Sequence, residues 1–246
     1  MRKQETTTAH SQTATPDGLA GKKLKTWAAA AAMLALAGAA QASPMKLVDG
    51  GLGVLDSAAK LEWTANMNLN GPMSWAAANT WIDTLNTNKY AGHNDWRLPT
   101  LNTSDTSCST NFNPGGGFSQ QYYGTGCTGG ELSNLFVTQL GDRAGENVLE
   151  QNRDTAEQIA NLALFSNVQN VLFWSGMAYA PNPNLNLAWN FSASGGYQGT
   201  GGKGLASYAV AVRPGDVAAS VPEPQTLALA LLALGATAVA RKKRSA

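Results

Sequence analysis

Asn94-Asp95-Trp96-Arg97-Leu98-Pro99-Thr100, NDWRLPT, carries more structural instruction than any other stretch of the chain. Trp96 and Leu98 alternate with polar neighbours, as in a segment with one face turned to a core. Arg97 lies between them and needs a carboxylate or backbone carbonyls if it is to be covered. Pro99 cannot donate to a ladder and ends the extended run, and Thr100 begins a turn. Nothing in this pattern requires catalysis, so Asp95, Trp96, Arg97, Leu98, Pro99 and Thr100 are read as a structural motif.

The segment upstream, GPMSWAAANTWIDTLN (71–86), offers Ser74 as a helix cap. Trp75, Ala78, Ile82 and Leu85 then recur at helical spacing, which predicts an amphipathic helix. Before it, LVDGGLGVLDSAAKLEWTANM (47–67) reads as two strands, Leu47–Leu55 and Lys60–Ala65, joined around Asp56-Ser57. Downstream, residues 101–130 show no periodicity and hold seven glycines and both cysteines, which predicts a long pinned loop. ELSNLFVTQLG (131–141) resumes helical spacing and stops at Gly141, and Asp154 with Glu157 is expected to cap a short helix. VLFWSG (171–176), LAWNFS (187–192) and SYAVAVR (207–213) read as strands, and the glycines from 195 to 204 as loop. The expectation is an α+β fold: one domain over 43–219, two or three helices, and a small, mostly antiparallel sheet in which strands from both ends of the chain meet.

Charge is distributed unevenly. From 43 to 220 there are eight basic residues against thirteen acidic ones, so the body is acidic and lacks the basic patch that nucleic acid requires. The remaining basic residues sit at the two ends. Lys22-Lys23-Leu24-Lys25 precedes an apolar run closing on Ala40-Gln41-Ala42, the pattern of a secretory signal peptide over 1–42 cleaved between Ala42 and Ser43. The Sec translocon and signal peptidase are the expected partners. Export favours oxidised thiols. Cys108 and Cys127 have no CxxC spacing and no nearby histidine, so a structural disulfide is expected rather than a catalytic or metal-binding thiol pair.

At the other end, over 220–246, Val221-Pro222-Glu223-Pro224 leads into the apolar run 225–240 and then Arg241, Lys242, Lys243 and Arg244. As a helix this run reaches about 24 Å, short of the roughly 30 Å hydrocarbon layer, so the expected transmembrane helix is a marginal anchor. The basic cluster should remain cytoplasmic, with the body outside. The arrangement resembles the PEP-CTERM sorting signal. That resemblance implies an exosortase, transient residence in the inner membrane, and delivery to an envelope, outer surface or matrix rich in exopolysaccharide.

The series LEWTANMN, SWAAANTWIDTLN, NDWRLPT, ELSNLF, VLFWSG, LAWNFSASGGYQG and AVRPGD resembles the Lcl C-terminal domain family across about 47–216. The resemblance implies a C-type-lectin-like fold. It also marks 101–130 as an insertion, because compact members run from WRLPT almost directly into the ELxxL helix.

A search for chemistry finds little. His93 is the one histidine of the body and is read as a turn residue; no GxSxG, HExxH, P-loop or EF-hand pattern is present. The lectin resemblance directs attention to Asn182 and Asn184 in PNPN and to Trp189-Asn190 as ligand contacts. Phe191 stands where the lectin pattern has an acid, so calcium is only a weak expectation, no other cofactor is indicated, and the asparagines read as turn residues. Trp63, Trp75, Trp81, Trp96, Trp174 and Trp189 are expected mainly in the core, with one or two free to stack on sugar rings. Two function classes follow. The first is a non-enzymatic surface module for glycan, exopolysaccharide or protein, and the second is a secreted hydrolase acting on polysaccharide.

Overall fold

The computed structural model describes residues 45–216. Both the expected signal segment with its Ala42–Ser43 cleavage point and the sorting signal from Val221 to Arg244 lie outside them. Among the described residues, no helix is long and apolar enough to cross a membrane.

The strand expected over Leu47–Leu55 is instead a hairpin. β1 (Lys46–Val48) and β2 (Gly53–Asp56) pair antiparallel about a turn at Asp49–Gly51. Asp49, Gly50 and Gly51 all take positive φ there, a conformation that Gly tolerates and Asp adopts more readily than most residues. Asp56 then turns the chain, its Oδ1 accepting from the amides of Ala58 and Ala59, and β3 (Leu61–Thr64) follows. The last of the described strands, β9 (Val212–Pro214), pairs antiparallel with β3 and completes a sheet of order β1-β2-β3-β9. Strands from both ends of the domain therefore share one sheet, as expected. Of the expected strand 207–213 only Val212 and Arg213 join this ladder; Ser207 and Tyr208 make single bridges to Met73 and Phe173.

The second sheet, of order β4-β5-β8-β7-β6, was only partly foreseeable. β6 (Leu172–Ala178) and β7 (Leu187–Ser192) match the expected strands. β8 (Tyr197–Gly202) runs through glycines read above as loop and pairs along the whole length of β7. A Cβ at Gly201 would stand 2.7 Å from the Asn190 side chain, so glycine gives the neighbouring strand its room. Residues 101–130 are not a structureless loop either. They form a hairpin, β4 (Thr110–Phe112) and β5 (Gln121–Thr125), and β5 extends the sheet through Gly124 and Thr125 against Gln198 and Tyr197. Cys108 and Cys127 are bonded, Cα atoms 4.2 Å apart, and close the base of that hairpin.

β6 and β7 are covered on both faces. Phe173, Trp189 and Phe191 point into a core with Trp63, Leu135 and Phe136, whereas Trp174 and Ala188 point into a second core with Trp81, Ile82, Trp96 and Leu98. Helix α1 (Trp75–Thr87) supplies this second core through Ala78, Trp81, Ile82 and Leu85, and Ser74 caps it by accepting from the Ala77 amide. Burying each large apolar side chain contributes roughly 1.5–3 kcal/mol. Trp81→Ala is therefore the single change most damaging to the α1 contact. Trp75, at the helix start, stays partly exposed beneath the Lys203 ammonium, 4.5 Å from its ring.

On the other face, α2 (Glu131–Ser133) runs into a π-helical turn, Asn134–Gln139, and stops at Gly141 with φ 83°. Helix α3 (Ala156–Leu162) is capped by Thr155 with Gln158 in a capping box, not by Asp154 with Glu157. Asp154 is withdrawn from capping because it accepts from Arg143 at 2.7 Å.

Candidate functional site

The NDWRLPT residues tie the fold together. The Trp96 side chain is buried and donates through Nε1 to the Tyr90 carbonyl, and Asn86 clamps its backbone from α1. Arg97 exchanges two backbone hydrogen bonds of 2.9 Å with Val212, and its guanidinium grips Glu131 at 2.6 and 2.5 Å. Burial alone would raise the Glu131 carboxyl, but Arg97 and the Thr100 amide outweigh it and hold it below the usual range. Pro99 offers its carbonyl to Gly176 and Thr100 to Leu132. Asp95 accepts from Nε of Arg213 at 2.7 Å. The contacts of Asp95, Trp96, Arg97, Pro99 and Thr100 join separate elements, and the insertion leaves and re-enters at one point, between Thr100 and Glu131.

The second sheet carries a different surface. Phe112 of β4, Tyr123 of β5, Tyr197 of β8, Trp189 of β7 and Tyr179 just past β6 line a cleft of 260 Å³ with Leu185, Leu187, Gly199 and Thr200. Phe112 and Tyr123 meet edge-on at 5.8 Å, Tyr123 and Tyr197 at 6.4 Å, and Tyr179 tilts over Trp189 at 6.1 Å. Trp189 is buried and forms the floor, whereas Phe112 and Tyr197 stand exposed at the rim. Burial and the neighbouring Tyr123 raise the Tyr197 hydroxyl above its ordinary value, so it remains a neutral hydrogen-bonding group. The lining contains no carboxylate, imidazole or thiol.

The four ligand contacts suggested by the lectin pattern do not form a set. Trp189 enters the cleft, but Asn190, next along β7, is on the opposite face of the sheet and buried. Asn182 and Asn184 are exposed around the turn Pro183–Leu185, which contributes only Leu185 to the cleft. With no carboxylate among them, they give calcium no charged ligand. The sequence reading missed Phe112, Tyr123, Tyr179 and Tyr197. The available signal was the aromatic content of TNF, QYYGT and YQG inside stretches that glycine made look like loop.

A larger cleft of 430 Å³ lies at the foot of the insertion, lined in part by Asp56, Trp63, Gly129 and Glu131. Its two acids are already engaged, Asp56 by the turn amides and Glu131 by Arg97. A third cluster surrounds Arg213, which donates to Glu62 at 2.7 Å, to Asp95 at 2.7 Å and to Asp216 at 3.3 Å. His93 follows the turn Tyr90–Gly92 with extended backbone, and its Nε2 lies 2.9 Å from Asp49 Oδ2. Burial, and then the adjacent Asp49 carboxylate, push the Glu62 carboxyl up to about 7 against the pull of Arg213.

The family model of the Lcl C-terminal domain matches residues 53–213, and that of the PEP-CTERM protein-sorting motif matches 220–244. The chain thus belongs to the Lcl C-terminal domain family, and its sorting motif marks it for export, exosortase processing and the cell surface. No curated protein and no solved structure matches it.

Proposed function

We propose that this chain is a non-enzymatic binding module of the cell surface, C-type-lectin-like in fold, which holds sugar rings of an extracellular polysaccharide in the aromatic cleft. The observation that carries this reading is the lining of that cleft. It offers a run of aromatic faces and edges with hydroxyls at Tyr197 and Thr200, and no carboxylate, imidazole or thiol. A pyranose presents one apolar face and a rim of hydroxyls, the complement of such a surface. Delivery by an exosortase would place the module where exopolysaccharide is concentrated.

The test is retention of the full-length protein on a column of the producing cell's own exopolysaccharide. Wild type should be retarded, and Tyr197→Ala with Phe112→Ala should elute near the void while melting like wild type. Equal retention of wild type and the double variant would remove the cleft from the binding account. A secreted polysaccharide hydrolase is the second reading, and Glu62 beside Asp49 favours it, since a carboxyl raised to about 7 next to a second carboxyl can serve as a general acid. Against it, Glu62 is only 2% exposed and held by Arg213. Release of reducing ends, abolished in Glu62→Gln, would establish it.

A further inference from the structure

We propose that Asp49, Glu62 and His93 form a site for a zinc-class transition-metal dication that pins the N-terminal hairpin to the NDWRLPT turn. One ligand atom from each of the three residues can be chosen so that all lie within 4.8 Å of one another. Small side-chain rotations from that spacing bring them onto one ion with bonds of about 2.0–2.2 Å. They come from three separate elements: the β1–β2 turn, strand β3, and the turn after α1.

Glu62 supplies the observation that points to a ligand. The residue is 2% exposed, and its Oε2 accepts from Arg213, while its Oε1 is buried with no hydrogen-bond donor at all. A buried carboxylate oxygen facing another carboxylate lacks a partner that a cation would provide. Around it, Glu62, Asp95 and Asp216 share the Arg213 guanidinium, and Asp49 has His93 as its ion-pair partner, so carboxylates outnumber the guanidinium. Glycine at position 53 gives the Glu62 side chain its room, because a Cβ there would stand 2.3 Å from Glu62 Oε1.

The backbone adds a third argument. Asp49, Lys89 and Ala91 hold φ of 52°, 50° and 55°, and they lie in the two turns that bring Asp49 and His93 together. Non-glycine residues in this region are strained, and such strain gathers where a ligand or a function requires it. The donor set decides the class. One imidazole with two carboxylates suits zinc and its transition-metal neighbours, whereas calcium prefers six or more oxygens.

The experiment uses the full-length protein, stripped with chelator and titrated with ZnCl2 by calorimetry, with thermal unfolding followed in parallel. One zinc per chain should bind and raise the unfolding midpoint by several degrees, and equal CaCl2 should not. Asp49→Asn, which keeps a residue tolerant of positive φ, and His93→Gln should each weaken zinc binding at least tenfold and abolish the zinc-dependent rise in the midpoint measured against the same variant without metal. Co2+ substitution gives a second readout: visible absorption bands of a nitrogen- and oxygen-ligated ion should appear in wild type and vanish in His93→Gln. Absence of a zinc-dependent shift, zinc uptake indifferent to both substitutions, or an equal response to calcium would each overturn the assignment.

Discussion

Arg97 and Glu131 are 34 positions apart in the chain and joined by two charge-assisted hydrogen bonds of 2.6 and 2.5 Å. Between them the chain makes its whole excursion through the disulfide and the β4–β5 hairpin. The pair therefore acts as the clasp at the neck of the insertion. Arg97 is partly exposed, so solvent weakens the attraction, and Arg97→Ala should lower stability by about 1–2 kcal/mol rather than by the larger loss of a buried pair. Urea unfolding of wild type and variant measures this, and Arg97→Lys should recover only part of it, because an ammonium cannot grip both carboxylate oxygens from a planar fork.

The disulfide closes a loop of 19 residues in sequence separation, which corresponds to about 3 kcal/mol in the chain-entropy description. Cys108 should resist alkylation until the protein is reduced. Cys108→Ala with Cys127→Ala should loosen the hairpin that carries Phe112 and Tyr123. Amide exchange should accelerate in 110–125 while α1 keeps its protection.

Within the cleft, Tyr197 is exposed at the rim and Trp189 is buried beneath it. An aromatic contact contributes about 0.5–1.5 kcal/mol beyond its buried area, so Tyr197→Ala should weaken polysaccharide retention up to roughly tenfold without changing the melting point. Trp189→Ala should lower both, because the same ring packs in the main core.

Asp142 gives the pH prediction. It is 1% exposed, and burial pushes it up to about 8. Amides of Gly196 and Arg143 pull the other way, and the carboxylates of Asp154 and Glu146 add to the rise. Its folded-state value is raised, so the unfolded chain releases this proton first as pH climbs. The Asp142 contribution therefore falls from pH 4 to pH 8 and is level above that. The loss approaches about 4 kcal/mol near neutrality, at about 1.4 kcal/mol per unit of displacement. Asp142→Asn cannot ionise, so urea midpoints measured from pH 4 to pH 8 should decline less steeply in the variant than in wild type.

Some of this was legible in the sequence because the chemistry involved is local. Ser74 caps α1, and Trp81, Ile82 and Leu85 face one way, because backbone donors and a 3.6-residue period act within a few positions. NDWRLPT announced an arginine bound to a carboxylate, which is present in the Arg97–Glu131 pair, whereas the extended run makes only a single bridge, Arg97 to Val212. Paired cysteines followed from composition and compartment. The sorting motif likewise belongs to a contiguous stretch.

Other features depended on tertiary structure. Gly199 and Gly201 are strand residues because β7 offers a ladder, and side chains of Tyr197 and Asn190 respectively leave no room for a Cβ, neither of which a glycine-rich string reveals. Asp49-Gly50-Gly51 read as the interior of a strand until β1 folded back on β2. Phe112, Tyr123, Tyr179, Trp189 and Tyr197 become one cleft only when five chain segments are brought side by side. Asp49, Glu62 and His93 meet only after β3 and two turns converge. Local sequence determined the elements and their inward faces, through periodicity and capping. Which distant residues became neighbours was decided by packing two sheets and three helices about shared cores, and both candidate sites arise from those neighbours.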